Sequence, residues 1–185
     1  MVIAVIDTET NWYDEVMSIG VAAADSGSLR PVDTKYYILT PEYLSEGMYS
    51  DRMDLADPEK TQVLQRKQAM ADLKSWLKAL GIRQIFAYNA RFDCHHLPEL
   101  SQFEWYDIMK IAAYRQYNRS IPEWAECCTT GRLKRNYGVE PILQNLRKQR
   151  QYRETHNALL DAVDELQIME LLGLPVCLYE QAAKV

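Results

Sequence analysis

Val2-Ile3-Ala4-Val5-Ile6-Asp7-Thr8-Glu9-Thr10 is the stretch that decides how this chain folds. Residues 1–7 alternate and run apolar, as a buried strand does, and the apolar run stops at Asp7. Side chains alternate along a strand, so Asp7 and Glu9 point to the same face. The ends of strands are where α/β sheets place their sites. Two adjacent carboxylates repel each other, and burial raises their pKa values; a divalent cation removes both penalties. Taken alone, the pair also fits two acids on a solvated strand end.

Working outward, residues 15–25 are rich in Val, Ile and Ala and read as a second strand, followed by a Ser26-Gly27-Ser28 turn. Residues 29–39 read as a third strand, so the first three form an antiparallel meander. Asp57-Pro58-Glu59 carries a helix-start signature, with Asp57 as N-cap. That helix would place Val63, Leu64, Met70, Leu73, Trp76, Leu77 and Leu80 on one stripe and stop at Gly81. Residues 82–88 form a fourth strand, a helix carries Asp93 and Leu97 up to Pro98, and Phe103–Tyr106 is a short fifth strand. Residues 107–150 read as mostly helical. A last helix starts near Thr155 or His156 and ends at Gly173, with Leu159, Ala162, Leu166 and Met169 as its core stripe and Asp164 and Glu165 facing solvent. The order of elements predicts one α/β layered domain over residues 1–185.

Two further clusters carry chemistry. Asn89 and Asp93 lie four apart at a helix start that follows a strand, so they share a face; an Asn cap with a first-turn Asp is the plain alternative. Asp161 falls about one and a half helical turns beyond His156 and roughly 140° around the axis. The two can flank one pocket if His156 lies in the entering loop; a capping His with a surface Asp is the alternative. Four carboxylates suit two hard divalent cations, and a nearby histidine suits proton transfer at neutral pH.

Together the clusters match a family. Asp7-Thr8-Glu9-Thr10 resembles the first motif of the DEDDh 3′→5′ exonucleases, the DnaQ-like and RNase T-like group. Asn89-Ala90-Arg91-Phe92-Asp93 resembles the second motif, and His156-Asn157-Ala158-Leu159-Leu160-Asp161 the third. The order and spacing hold over residues 1–173. Departures are small: Tyr88 stands where many relatives carry His, and Trp12 and Tyr13 follow the first motif where relatives often have small residues. No long segment follows the third motif, which implies a stand-alone enzyme rather than a polymerase subunit.

The resemblance implies a ribonuclease H-like fold, a mixed five-stranded sheet flanked by helices. It also implies two divalent cations, Mg²⁺ or Mn²⁺, about 3.5–4 Å apart. Asp7, Glu9 and Asp161 would hold one, and Asp7 and Asp93 the other. His156 would be the general base that activates water, with a 5′-mononucleotide as product. The expected substrates are 3′ ends of single-stranded DNA or RNA, and the sequence is equally compatible with either sugar. Thr8, Thr10, Trp12, Asn89 and Phe92 flank the metal motifs as candidate substrate contacts, with Trp12, Tyr13 and Phe92 as stacking platforms. Core packing is the plainer reading of Phe92. Met17, Ser18 and Ile19 are candidates to line the same groove, and Asp107 reads as a helix cap. Other readings are a phosphodiesterase of short oligonucleotides or nucleotides, and an idle nucleic-acid-binding domain.

Bulk properties fit this picture. The chain of 185 residues is 48% hydrophobic and 25% charged, as expected of a globular domain with a core of its own. Its net charge of −5 hides a basic segment: residues 110–153 hold ten Lys and Arg against three acids, a surface that attracts phosphates or a solvated helical face. Four irregularly spaced cysteines argue against a zinc site and fit a reduced cytoplasmic setting. The apolar start lacks a basic region before it, so it is no signal peptide, and no apolar run reaches membrane-spanning length. A monomer and a homodimer both fit.

Overall fold

The computed structural model describes residues 1–185. Its sheet is built from β1 (Val2–Thr10), β2 (Val16–Asp25), β3 (Pro31–Leu39), β4 (Thr61–Leu64), β5 (Gln84–Ala87) and β6 (Glu104–Asp107). The spatial order is β4-β3-β2-β1-β5-β6. β1, β2 and β3 form the expected antiparallel meander, while β5 runs parallel to β1 and β6 parallel to β5. The helices are α1 (Arg66–Ala79), α2 (Arg91–His96), α3 (Met109–Ala112), α4 (Val139–Arg147), α5 (Ala158–Leu172) and α6 (Val176–Ala182). No helix is long and apolar enough to cross a membrane, and all four cysteines are free.

The alternation along β1 sorts the core into two layers. Ile3 and Val5 pack with Ala162, Leu166 and Met169 of α5. Ala4 and Ile6 pack on the other face with Met70, Leu73 and Leu77 of α1. Asp7 and Glu9 continue the face of Ile3 and Val5, so they emerge toward α5. The four residues read as the α5 core stripe are all buried.

Three sequence expectations are corrected. The sheet has six strands, because Thr61–Leu64 is not the start of a helix but an edge strand parallel to β3. Asp57 accepts from the Glu59 amide at 3.0 Å, which makes Asp57-Pro58-Glu59 a turn. α1 begins at Arg66 behind a Gln65/Gln68 capping box, and Val63 is exposed on the edge. Second, within residues 107–150 only α3 and α4 are α-helical. The Arg115 guanidinium donates to the Pro122 and Ala125 carbonyls, supplying from a side chain the partners a helix would have supplied. Third, Asp164 and Glu165 do not face solvent. Asp164 pairs with Arg147 at 2.8 Å, and Glu165 is 2% exposed under the sheet.

Gly20 sets how closely α5 approaches the sheet. A Cβ there would lie 2.1 Å from the backbone carbon and oxygen of Ala158. Backbone cannot move aside as a side chain can, so Gly20→Ala is expected to destabilise the fold by about 3 kcal/mol or more. It should also push the start of α5, and with it Asp161, away from β1. Urea unfolding measures the first effect; an unchanged midpoint would mean the helix start yields freely.

Candidate active site

Three elements converge at the C-terminal end of β1. β1 itself presents Asp7 and Glu9. Asp93 arrives from α2 on the opposite layer, 2% exposed, and the Thr8 hydroxyl donates to its Oδ1 at 2.7 Å. Asp161 stands in the first turn of α5 and is 3% exposed. Asn157 caps that helix, its side-chain oxygen accepting from the Leu159 and Leu160 amides at 3.2 and 3.3 Å. His156 therefore lies just outside the helix, in the left-handed region at φ +56°. From there its ring comes into one group with Glu9 and Asp161, their candidate ligand atoms all within 4.8 Å of one another.

The turn into α2 is gripped from outside. The Glu165 carboxylate accepts from the Tyr88 amide at 3.0 Å, and Asp107 Oδ1 accepts from the Asn89 amide at 3.0 Å. Asn89 takes φ +62°, a conformation that Asn tolerates better than most residues. Asp107 also accepts from the Met109 amide at 2.9 Å, so its capping role extends to holding the Asn89 turn.

The electrostatics are those of crowded acids. Burial comes first, then the charges of Glu165, Asp93, Asp161 and Glu9; together they hold the Asp7 carboxyl far above the usual range. Burial, Glu154 and Asp93 push Glu9 to about 7. Burial lifts Asp93 to about 7 against the lowering effect of the Thr8 hydroxyl. Asp161 is pushed to about 8 by burial, Glu154 and Glu9. Burial and then Arg52 lower the His156 pKa, which favours the neutral imidazole. Asp7 Oδ2 and Asp161 Oδ1 are shut from solvent without a hydrogen-bond partner. Orphaned carboxylate oxygens beside a Glu-His-Asp group are what a hard divalent cation satisfies, so the donor set fits Mg²⁺ or Mn²⁺.

The candidate substrate residues divide. Thr8, Thr10, Trp12 and Phe92 line one pocket with Glu9, Met48 and Tyr49. Trp12 is 65% exposed and Phe92 39%, so core packing of Phe92 is not what occurs. Asn89 is exposed but borders a different surface depression, beside Arg91, His95 and His96. Met17, Ser18 and Ile19 are fully buried and line no groove. Sequence reasoning missed Glu165, Glu154 and Tyr49. Glu165 lies four residues after Asp161, a spacing that puts both on one helix face and could have revealed it. Tyr49 stacks on His156 from a segment with no motif and no periodicity.

No protein-family model matches the chain, and no curated protein matches it in sequence. Solved structures do match. Exonuclease X in complex with 5′ overhanging duplex DNA is 21% identical, with 98% of this chain and 97% of that one covered at a TM-score of 0.55. The nuclease domain of 3′hExo, a DEDDh family member bound to rAMP, is 14% identical, with 91% and 90% covered at 0.63. E. coli Exonuclease I in complex with a dA16 oligonucleotide is 12% identical; 97% of this chain covers 42% of that one at 0.65. The chain thus shares its fold with these exonuclease structures, one of them a DEDDh family member.

Proposed function

We propose that this protein is a metal-dependent 3′→5′ exonuclease that trims single-stranded DNA or RNA to 5′-mononucleotides. The observation that carries the reading is the grouping of Glu9, His156 and Asp161 within 4.8 Å beside the orphaned oxygens of Asp7 and Asp161. The exonuclease fold supports it, as do neighbours solved with an overhanging DNA duplex, with rAMP and with dA16.

Asp7, Glu9 and Asp161 would hold one cation, and Asp7 with Asp93 the other. Cations held there would supply a lowered pKa for the attacking water and charge neutralisation at the leaving 3′ oxygen. His156 takes the proton of that water as its oxygen attacks phosphorus in line. A P–O bond forms to water, the bond from phosphorus to the 3′ oxygen breaks, and the released 3′ oxygen takes up a proton. Trp12 and Phe92 offer ring faces at the pocket beside Glu9, where the terminal bases would stack. Thr8 keeps Asp93 turned toward β1.

The test is digestion of matched 5′-labelled single-stranded DNA and RNA with Mg²⁺ or Mn²⁺, with Asp7→Ala as control. A ladder shortening from the 3′ end, absent in the variant, is the expected result and reads out the sugar preference. No cleavage of either polymer would overturn the proposal. His156→Ala should lower kcat by about 10²–10⁴-fold and leave Mn²⁺ affinity, measured by calorimetry, nearly intact. Unchanged turnover in that variant would remove His156 from its role as base.

A further inference from the structure

His156 belongs to a loop, yet its ring sits where Glu9 and Asp161 meet. One aromatic contact to it comes from residues 42–56, which carry none of the three motifs. The Tyr49 ring lies on the imidazole with centroids 3.9 Å apart and planes 9° from parallel. We propose that Tyr49 is a positioning residue, holding the His156 imidazole toward Glu9 and Asp161. Residues 42–56 form the frame that fixes Tyr49 relative to β1.

The frame is tied at both ends. On the histidine side, Asn157 Nδ2 donates to the Arg52 and Met53 carbonyls at 2.9 and 3.2 Å and to the Tyr36 hydroxyl at 3.2 Å. Met53 and Ala56 pack against Ala158 and Leu159. On the strand side, the Trp12 amide donates to the Glu46 carbonyl at 3.1 Å, and Asn11 Nδ2 donates to the Glu42 carbonyl at 3.0 Å. Gly47 allows the close approach, since a Cβ there would lie 2.5 Å from the Thr10 carbonyl oxygen. The same segment thus grips the residues that follow Glu9 and the residue that follows His156.

A hydrogen bond to the second ring nitrogen is the usual way to orient a functional histidine. Here a parallel ring face does it, restricting tilt of the imidazole plane and leaving both nitrogens available. Stacking of this kind is enough to bias a loop side chain by several-fold. Tyr49 also lines the pocket that holds Trp12 and Phe92, so a substrate platform is the rival role.

The inference rests on His156 being the proton acceptor, so the test includes a readout that needs no turnover. The chain has three histidines, and His156→Ala assigns the ring resonances of His156 in a long-range ¹H–¹⁵N spectrum. Tyr49→Ala and Tyr49→Leu should move those resonances downfield as the ring current is lost; Tyr49→Phe should retain them. In single-strand digestion, Tyr49→Ala should lower kcat about tenfold with KM changed less than about threefold, and Tyr49→Phe should rescue it. Unmoved resonances would overturn the proposal, whether or not the protein cleaves. A raised KM with unchanged kcat would overturn it in favour of the substrate platform. An inactive wild type with resonances that do respond to Tyr49→Ala would sink the exonuclease reading and leave the placement of the ring standing.

Discussion

Asp7→Asn is expected to abolish metal-dependent cleavage, by at least about 10³-fold, and to raise the thermal stability of the metal-free protein. The two effects have one cause. Asp7 is the carboxylate most crowded by others, facing Glu165, Asp93, Asp161 and Glu9, and its Oδ2 has no partner. Without a cation that charge is a burden on the fold, and an amide of the same shape removes it. With cations bound, the same carboxylate is the one assigned to both. Single-turnover digestion and thermal unfolding in a chelator measure the two effects on one sample. A lower melting temperature in the variant would mean the metal-free fold depends on the Asp7 charge. Retained turnover would take Asp7 out of the centre.

The second large effect is on pH and metal together. Glu9 and Asp93 are held at about 7 and Asp161 at about 8, against ordinary values of 4.5 for Glu and 3.8 for Asp. The native state therefore binds more protons than the unfolded chain between these limits. Stability from these groups is fully present below the ordinary carboxylate range and is lost as pH rises through 7 to 8. Asp72 and Glu99 act the other way, being held low by Lys35 and Arg66, but their contribution changes only in acid. The metal-free protein should melt roughly 5–10 °C lower at about pH 8.5 than at about pH 5.5. Millimolar Mg²⁺ or Mn²⁺ should recover most of that loss at the higher pH and little at the lower, where protons compete for the same oxygens. A melting temperature that is flat between the two pH values, or a metal effect of equal size at both, would show that these acids do not form one charged cluster.

Much of the molecule is legible in its sequence because the patterns responsible are local. The first strand, read over residues 1–7, its meander partners and the apolar stripe of the last helix follow from periods of two and 3.6 residues; the folded chain keeps them, extending the first strand to Thr10 and starting the helix at Ala158. The placement of Asp7 and Glu9 on one face follows from the same alternation. Thr61–Leu64 was misleading because Asp57-Pro58 is equally good as a turn and as a helix start, and only pairing with Tyr36–Leu39 selects the strand.

What tertiary structure alone decided is which polar groups share a buried volume. Asp93 and Asp161 come from opposite layers of the sheet and reach the end of β1, the element they share. Glu165 has a surface-like composition around it but lies beneath β1 and the end of β5, so its carboxylate meets the Tyr88 amide instead of water. Tyr49 reaches His156 across a long loop whose route depends on the fit of Gly47 against Thr10. Residue types and spacings thus determined five of the six strands, the main helix and which acids are candidates for the site. Contacts between residues far apart in the chain decided their burial, their raised pKa values and the orientation of the histidine, because desolvation and stacking depend on neighbours that no local pattern specifies.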